Sequence, residues 1–115
     1  MKPMFHPSAD DITVEGILHA LSDPVRASIF ANLRDSSDSH TCAMFSIVGE
    51  REIPKSTLSQ HFKALREAGL IRSERQGVEM RNTSRCEEIE KRFPGLLHAI
   101  VAAHKSQQQR GKKKR

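Results

Sequence analysis

Apolar residues recur at helical spacing along most of the chain. Val14, Ile17, Leu18 and Leu21 follow i, i+3, i+4, i+7, which predicts a helix with one buried face. Ser22-Asp23-Pro24 stops it. Asp23 can cap the following helix, and Pro24 suits its first turn, where no amide partner is lost. Val25, Ile29 and Leu33 carry that helix onward at i, i+4, i+8, and Asp35-Ser36-Ser37-Asp38-Ser39 reads as a loop. Cys42, Met44, Phe45, Ile47 and Val48 make residues 40–49 short and apolar, which predicts a brief helix. Gly49 and the charged Glu50-Arg51-Glu52 then connect to the next element.

That element has the clearest two-faced pattern. Leu58, Phe62 and Leu65, continued by Ala68, line one face; Ser56, Thr57, Ser59, Gln60, Lys63 and Arg66 lie on the others. Gly69 stands where a left-handed residue ends a helix. Beyond it the period changes. Residues 70–75 and 78–82 flank Gln76-Gly77 and predict a short hairpin turning at Gly77. Ile89, Phe93, Leu96, Leu97, Ile100 and Val101 form a last, wide stripe. Pro94-Gly95 divides it into a helical turn and a main helix.

The order is helix, helix, short helix, helix, hairpin, helix. This predicts a mainly α (α+β) fold, a winged helix-turn-helix of about five helices with a two-stranded β-hairpin wing. Residues 1–10 read as a flexible arm, 11–105 as the winged helix-turn-helix domain, and 106–115 as a basic, disordered tail.

At 115 residues the chain has room for one modest core. No apolar run approaches the roughly 20 residues of a membrane helix, and no secretory pattern follows Lys2. The cytoplasm is therefore the expected location, without a membrane partner. Two cysteines, Cys42 and Cys86, are too few for a disulfide framework. No nucleophile with a matching base, carboxylate pair or phosphate loop is present, so an enzyme is not expected, and no cofactor is predicted.

The net charge of +5 says less than its distribution. Residues 1–50 are net −4, residues 51–85 net +4, and residues 86–109 balanced. The last six residues carry Arg110, Lys112, Lys113, Lys114 and Arg115. The basic body segment is thus one stretch, residues 51–85.

A helix entering a DNA major groove needs an apolar anchor and, opposite it, small or flexible polar side chains. Residues about 55–68 meet both needs. Lys55, Ser56, Thr57, Ser59, Gln60, His61 and Lys63 are the candidate contacts. Gln60 is suited to a bidentate pair with adenine, and the hydroxyls near the helix start to phosphate. On the wing, about 70–83, Arg72, Arg75, Gln76 and Arg81, with Arg85 just beyond, are candidates for the backbone or minor groove. His61 reads equally well as a phosphate contact or a core-edge residue. A winged helix that binds protein without reading DNA is the rival; it would not need the small polar face at 56–63.

Leu21-Ser22-Asp23-Pro24-Val25-Arg26 resembles the opening of the second helix in the ArsR/SmtB family of bacterial winged-helix repressors. Residues 56–71, Ser-Thr-Leu-Ser-Gln-His-Phe-Lys-Ala-Leu-Arg-Glu-Ala-Gly-Leu-Ile, are similar to that family's recognition helix and following strand nearly residue by residue. The resemblance spans roughly residues 12–104. It implies a repressor acting as a homodimer, joined through its first and last helices, on an inverted-repeat double-stranded DNA operator. The candidate interface residues are Val14, Ile17, Leu18, Phe93, Leu97, Ile100 and Val101.

Metal-sensing members carry a Cys-x-Cys pair where this chain has His40-Thr41-Cys42-Ala43-Met44. Others use His and carboxylate groups on the last helix, whereas His98 and His104 are six residues apart and fall on different faces. No metal site is predicted; His40 and Cys42 are the candidates that remain. Cys42 is also the candidate for thiol sensing, because His40 could favour its thiolate.

Overall fold

Two polar residues start the first two helices. Thr13 Oγ1 accepts from the Gly16 N–H at 3.0 Å and opens α1 (Val14–Leu21). Asp23 Oδ1 accepts from Val25 and Arg26 N–H at 2.8 and 3.2 Å and opens α2 (Pro24–Asp35), as the sequence predicts. The computed structural model describes residues 5–35, 40–41, 47–48 and 51–113. Along them follow strands β1 (His40–Thr41), β2 (Ile47–Val48) and β3 (Arg51–Glu52), then α3 (Lys55–Glu67), β4 (Ile71–Gln76), β5 (Glu79–Ser84), α4 (Cys86–Arg92) and α5 (Leu96–Lys113).

The five helices and the antiparallel β4–β5 hairpin agree with the expected fold class. Ser73 pairs with Asn82 across the hairpin, and Gln76 with Glu79. The loop is therefore Gly77-Val78, with Gly77 at φ 65° in the first loop position, where a II′ turn requires glycine. β1 adds a third strand on the other edge of β5, with His40 opposite Asn82 and Thr41 opposite Arg81.

Three expectations need correction. The brief helix over 40–49 is not found at its described positions. Residues 40–41 pair with β5, and Ile47-Val48 pair antiparallel with Arg51-Glu52. β-Branched Ile47 and Val48 favour strand, and β5 has an edge open to β1. Cys42, Met44 and Phe45 lie outside the described residues. Nor are the described residues of the first segment, 5–10, a free arm. His6 Nε2 accepts from the Ser73 N–H at 3.0 Å, covering the outer edge of β4. Arg85 donates to the Pro7 carbonyl at 2.8 Å, and Arg92 to the carbonyls of Ala9 and Ile12 at 2.5 and 2.6 Å. Finally, α5 runs on through residues 106–113, which were expected to be disordered.

One core joins the elements. Phe30, Ile29 and Leu33 of α2 pack with Ile17 of α1, Phe62 and Leu65 of α3, Leu70, Ile71 and Leu97. The Pro94-Gly95 break works as predicted: α4 stops before it and α5 starts after it. The Glu90 carboxylate accepts from the Gly95 and His98 N–H groups at 2.7 and 3.2 Å, capping α5 from the preceding helix. Those backbone hydrogen bonds hold its pKa below the ordinary carboxylate value.

α3 ends in a Schellman turn. The Leu70 N–H bonds to the Leu65 carbonyl and the Gly69 N–H to the Arg66 carbonyl, each at 3.0 Å. Gly69 has φ 86°, and a Cβ there would lie 2.5 Å from the Ile12 side chain. Gly69→Ala should therefore cost about 2–4 kcal/mol, combining left-handed strain and overpacking. Urea unfolding checks this. Adding Ile12→Ala should recover the clash but not the strain, giving a favourable coupling in the double-mutant cycle.

Candidate nucleic-acid interface

α3 sinks Leu58, Phe62 and Leu65 into the core, and this decides what it shows outside. Lys55, Ser56, Ser59, Gln60 and Lys63 are exposed; Thr57 and His61 are half-buried. The helix begins after Pro54, which supplies no side-chain cap. Among the described residues no side chain caps its first N–H groups, which with the helix dipole favour an anion such as phosphate.

His61 is held from behind. Arg26 Nη1 lies 3.5 Å from His61 Nδ1, while Arg26 Nε donates to the Ala20 carbonyl at 2.6 Å. Arg26 thus links the end of α1, the start of α2 and the middle of α3. This gives the Asp23-Pro24-Val25-Arg26 run two functions, capping α2 and bracing α3. The bracing was missed in the sequence, because an arginine three residues beyond a cap looks like any surface charge.

The wing arginines divide. Arg75 is exposed and has no ion pair among the described residues, and Gln76 beside it is also exposed. Arg72 is paired with Glu88 at 3.1 Å, and Arg81 with Glu79 at 3.1 Å. Arg85 is 5% exposed and bonds Glu88 at 2.6 and 2.8 Å, so it is part of the wing's foundation. Ser73 Oγ donates to Asn82 Oδ1 at 2.6 Å within the buried centre of the hairpin. Val78, at the wing tip, is 96% exposed. Its sequence pattern suggests a strand; the Gln76–Glu79 register moves it into the loop and out to the tip.

The candidate dimer residues also separate. Ile17, Leu97 and Val101 are at most 3% exposed and belong to the chain's own core, which corrects their placement at an outer surface. A stripe that wide has an inner row, and these residues fill it. Leu18 is 50% exposed, and Val14, Phe93 and Ile100 are half-buried. His40 lies in β1, and Cys42 lies outside the described residues. Among the described residues no cluster of three or more His, Cys, Asp or Glu is arranged to hold a metal, and no helix is long and apolar enough to cross a membrane.

Comparisons with known proteins converge on this arrangement. A helix-turn-helix domain family model matches residues 21–74. The transcriptional repressor SmtB of Mycobacterium tuberculosis is 36% identical over 64 residues, which are 56% of this chain but only 44% of SmtB. The HTH-type transcriptional regulator YceK of Bacillus subtilis is 34% identical over 93 residues, 80% of this chain and 90% of YceK. The chain belongs to the ArsR/SmtB-type helix-turn-helix transcriptional regulators. That family is one of regulators, not enzymes. Reduced HlyU from Vibrio cholerae superposes with a TM-score of 0.54 at 26% identity, covering 67% of this chain and 78% of HlyU. An ArsR-like regulator from Rhodococcus shares the fold at a TM-score of 0.57 and 21% identity, over 87% of this chain and 89% of its own. The Asp23–Arg26 and Ser56–Ile71 segments that suggested this ArsR/SmtB-type regulator both fall within the domain match.

The wing's foundation sets a pH dependence. Glu88 has its pKa lowered, chiefly by the Arg85 hydrogen bond, with Arg72 assisting. A carboxylate lowered on folding stabilises the fold above its unfolded pKa and loses that contribution as pH falls through its folded pKa. Stability should thus decline on acidification from the ordinary carboxylate range downward. Glu88→Gln should make that decline shallower, as measured by urea midpoints across an acidic pH series.

Proposed function

We propose that the protein binds double-stranded DNA sequence-specifically as a homodimer and acts as a transcriptional repressor on an inverted-repeat operator. The observation that carries this reading is the outward strip of α3. Small hydroxyl residues, Gln60 and two lysines stand at an uncapped helix start, backed by a fully anchored apolar face. α3 enters the major groove. Gln60 reads a base edge, Ser56, Thr57 and Ser59 take phosphates or base edges, and Lys55 and Lys63 hold the backbone. His61, set by Arg26, stands at the edge of the contact. Arg75 and Gln76 of the wing follow the backbone or the minor groove; Arg72 and Arg81 join them by exchanging their carboxylate partners for phosphate.

The repressor assignment follows the similarity to SmtB, itself a transcriptional repressor. A dimer through α1 and α5 is supported by apolar side chains left partly outside the core: Val14 and Leu18 on α1, Leu96 and Ile100 on α5, and Phe93 just before α5. Such side chains gain from a partner surface.

Two substitutions separate reading from holding. Gln60→Ala should relax preference at one base pair per half-site, by about 1–3 kcal/mol of discrimination. Arg75→Ala should weaken binding to all sequences alike and reduce the magnitude of the log–log salt slope by about 0.9 for each phosphate no longer neutralised. Binding selection followed by titration at several salt concentrations checks both; similar effects of the two changes would refute the division of roles. Leu18→Glu should shift the protein towards monomer in analytical ultracentrifugation and weaken operator binding, leaving the α3 surface intact.

A further inference from the structure

A second basic site lies at the other end of the wing. The C-terminal end of α2, the base of β4 and β5 and the start of α4 enclose an open cleft of about 570 Å³. Arg34, Arg72 and Arg85 line it with Ser84, Cys86 and the carboxylates of Glu87 and Glu88, and no residue of α3 does. The volume is in the range of about 300–1,000 Å³ typical of small-molecule sites.

The three guanidinium groups are not equally occupied. Glu88 engages Arg85 through two nitrogens and Arg72 through one. It shows that a carboxylate fits between these arginines. Arg34 is different. Its Nη1 lies 3.6 Å from Asp35 Oδ1, and its Nη2 lies 3.4 Å from His98 Nδ1. Its Nε is buried and has no hydrogen-bond partner among the described residues. A guanidinium fork matches the two oxygens of a carboxylate or phosphate.

We propose that this cleft binds a small organic oxoanion, carrying carboxylate or phosphate groups, on the Arg34 guanidinium, whose present contacts are the longest of the three. Arg72 and the Ser84 hydroxyl form the rest of the seat. A second acidic group on the ligand can displace Glu88 from Arg72, so di- and trianions are preferred over monoanions. The cleft's size favours an organic molecule over a bare ion. The site stands apart from the α3 surface; it shares Arg72 with the wing, and its readout needs no DNA.

Cys86 lies in the cleft wall and provides the readout. Trypsin cuts after Arg85 and Lys91, so the peptide Cys86–Lys91 reports its alkylation separately from that of Cys42. The full chain is alkylated with iodoacetamide in citrate, in pyrophosphate, in acetate, or in sodium chloride, at one ionic strength. Citrate or pyrophosphate should slow Cys86 alkylation saturably, by about tenfold at ten times the Kd, with acetate much weaker. Arg34→Gln should abolish the protection, and so should Arg72→Gln if Arg34→Gln fails to fold. Arg75→Gln, at the far end of the wing, should leave it unchanged. Equal rates in citrate, pyrophosphate and chloride would overturn the proposal. So would protection that survives in a folded Arg34→Gln protein or disappears in Arg75→Gln, because the anion would then sit elsewhere. Protection by citrate alone or by pyrophosphate alone supports the site and assigns the carboxylate or phosphate class.

Discussion

The turn at Gly69 is the constraint on which the rest depends. It reverses the chain in the space of one residue, between the last turn of α3 and the first residues of β4. Its left-handed backbone closes two hydrogen bonds onto the helix, and the Ile12 side chain occupies the space where a Cβ would stand. Helix, wing and the segment leading into α1 thus meet at one point with no spare chain between them. The direction of the wing is set by the direction of α3. That in turn is set by Leu58, Phe62 and Leu65, each contributing about 1.5–3 kcal/mol by burial. Rotating α3 about its axis would expose these three side chains, so the face carrying Gln60 stays outward.

Arginine does two jobs in this protein, and the difference is geometric. Arg26, Arg85 and Arg92 fold back onto backbone carbonyls: Ala20 for Arg26, Pro7 for Arg85, Ala9 and Ile12 for Arg92. They tie together segments distant in sequence, and two of them bind the N-terminal segment to the wing and α4. Lys55, Lys63 and Arg75 point outward and remain available. A long side chain with a planar fork of donors suits the first role, because one guanidinium can satisfy several carbonyls at once. The same chemistry makes the cleft around Arg34 suited to an oxoanion.

Elements defined by local pattern were readable from residues alone. The anchor of α3, the Asp23 cap, the helix stop at Gly69, the turn at Gly77 and the break at Pro94-Gly95 each rest on neighbours within a few positions. The segment 40–49 was not readable in this way. Its short apolar run fits helix or strand, and pairing with β5, some 40 residues further on, decides for strand at His40-Thr41. The N-terminal segment likewise looks unpatterned because its partners, Ser73, Arg85 and Arg92, are all remote.

The candidate surfaces follow the same rule. Sequence by itself determined which helix presents a polar strip, that the strip is basic, and that the closing helices carry more apolar surface than one row requires. Tertiary structure decided which members of each set are outside. It drew Ile17, Leu97 and Val101 into the core, put Arg72, Arg81 and Arg85 into ion pairs, and left Arg75 and Val78 exposed. Periodicity defines a face only to within about a helical turn or one strand register. Burial and ion pairing are settled by the element that packs against that face, and which element it is depends on contacts far apart in the chain.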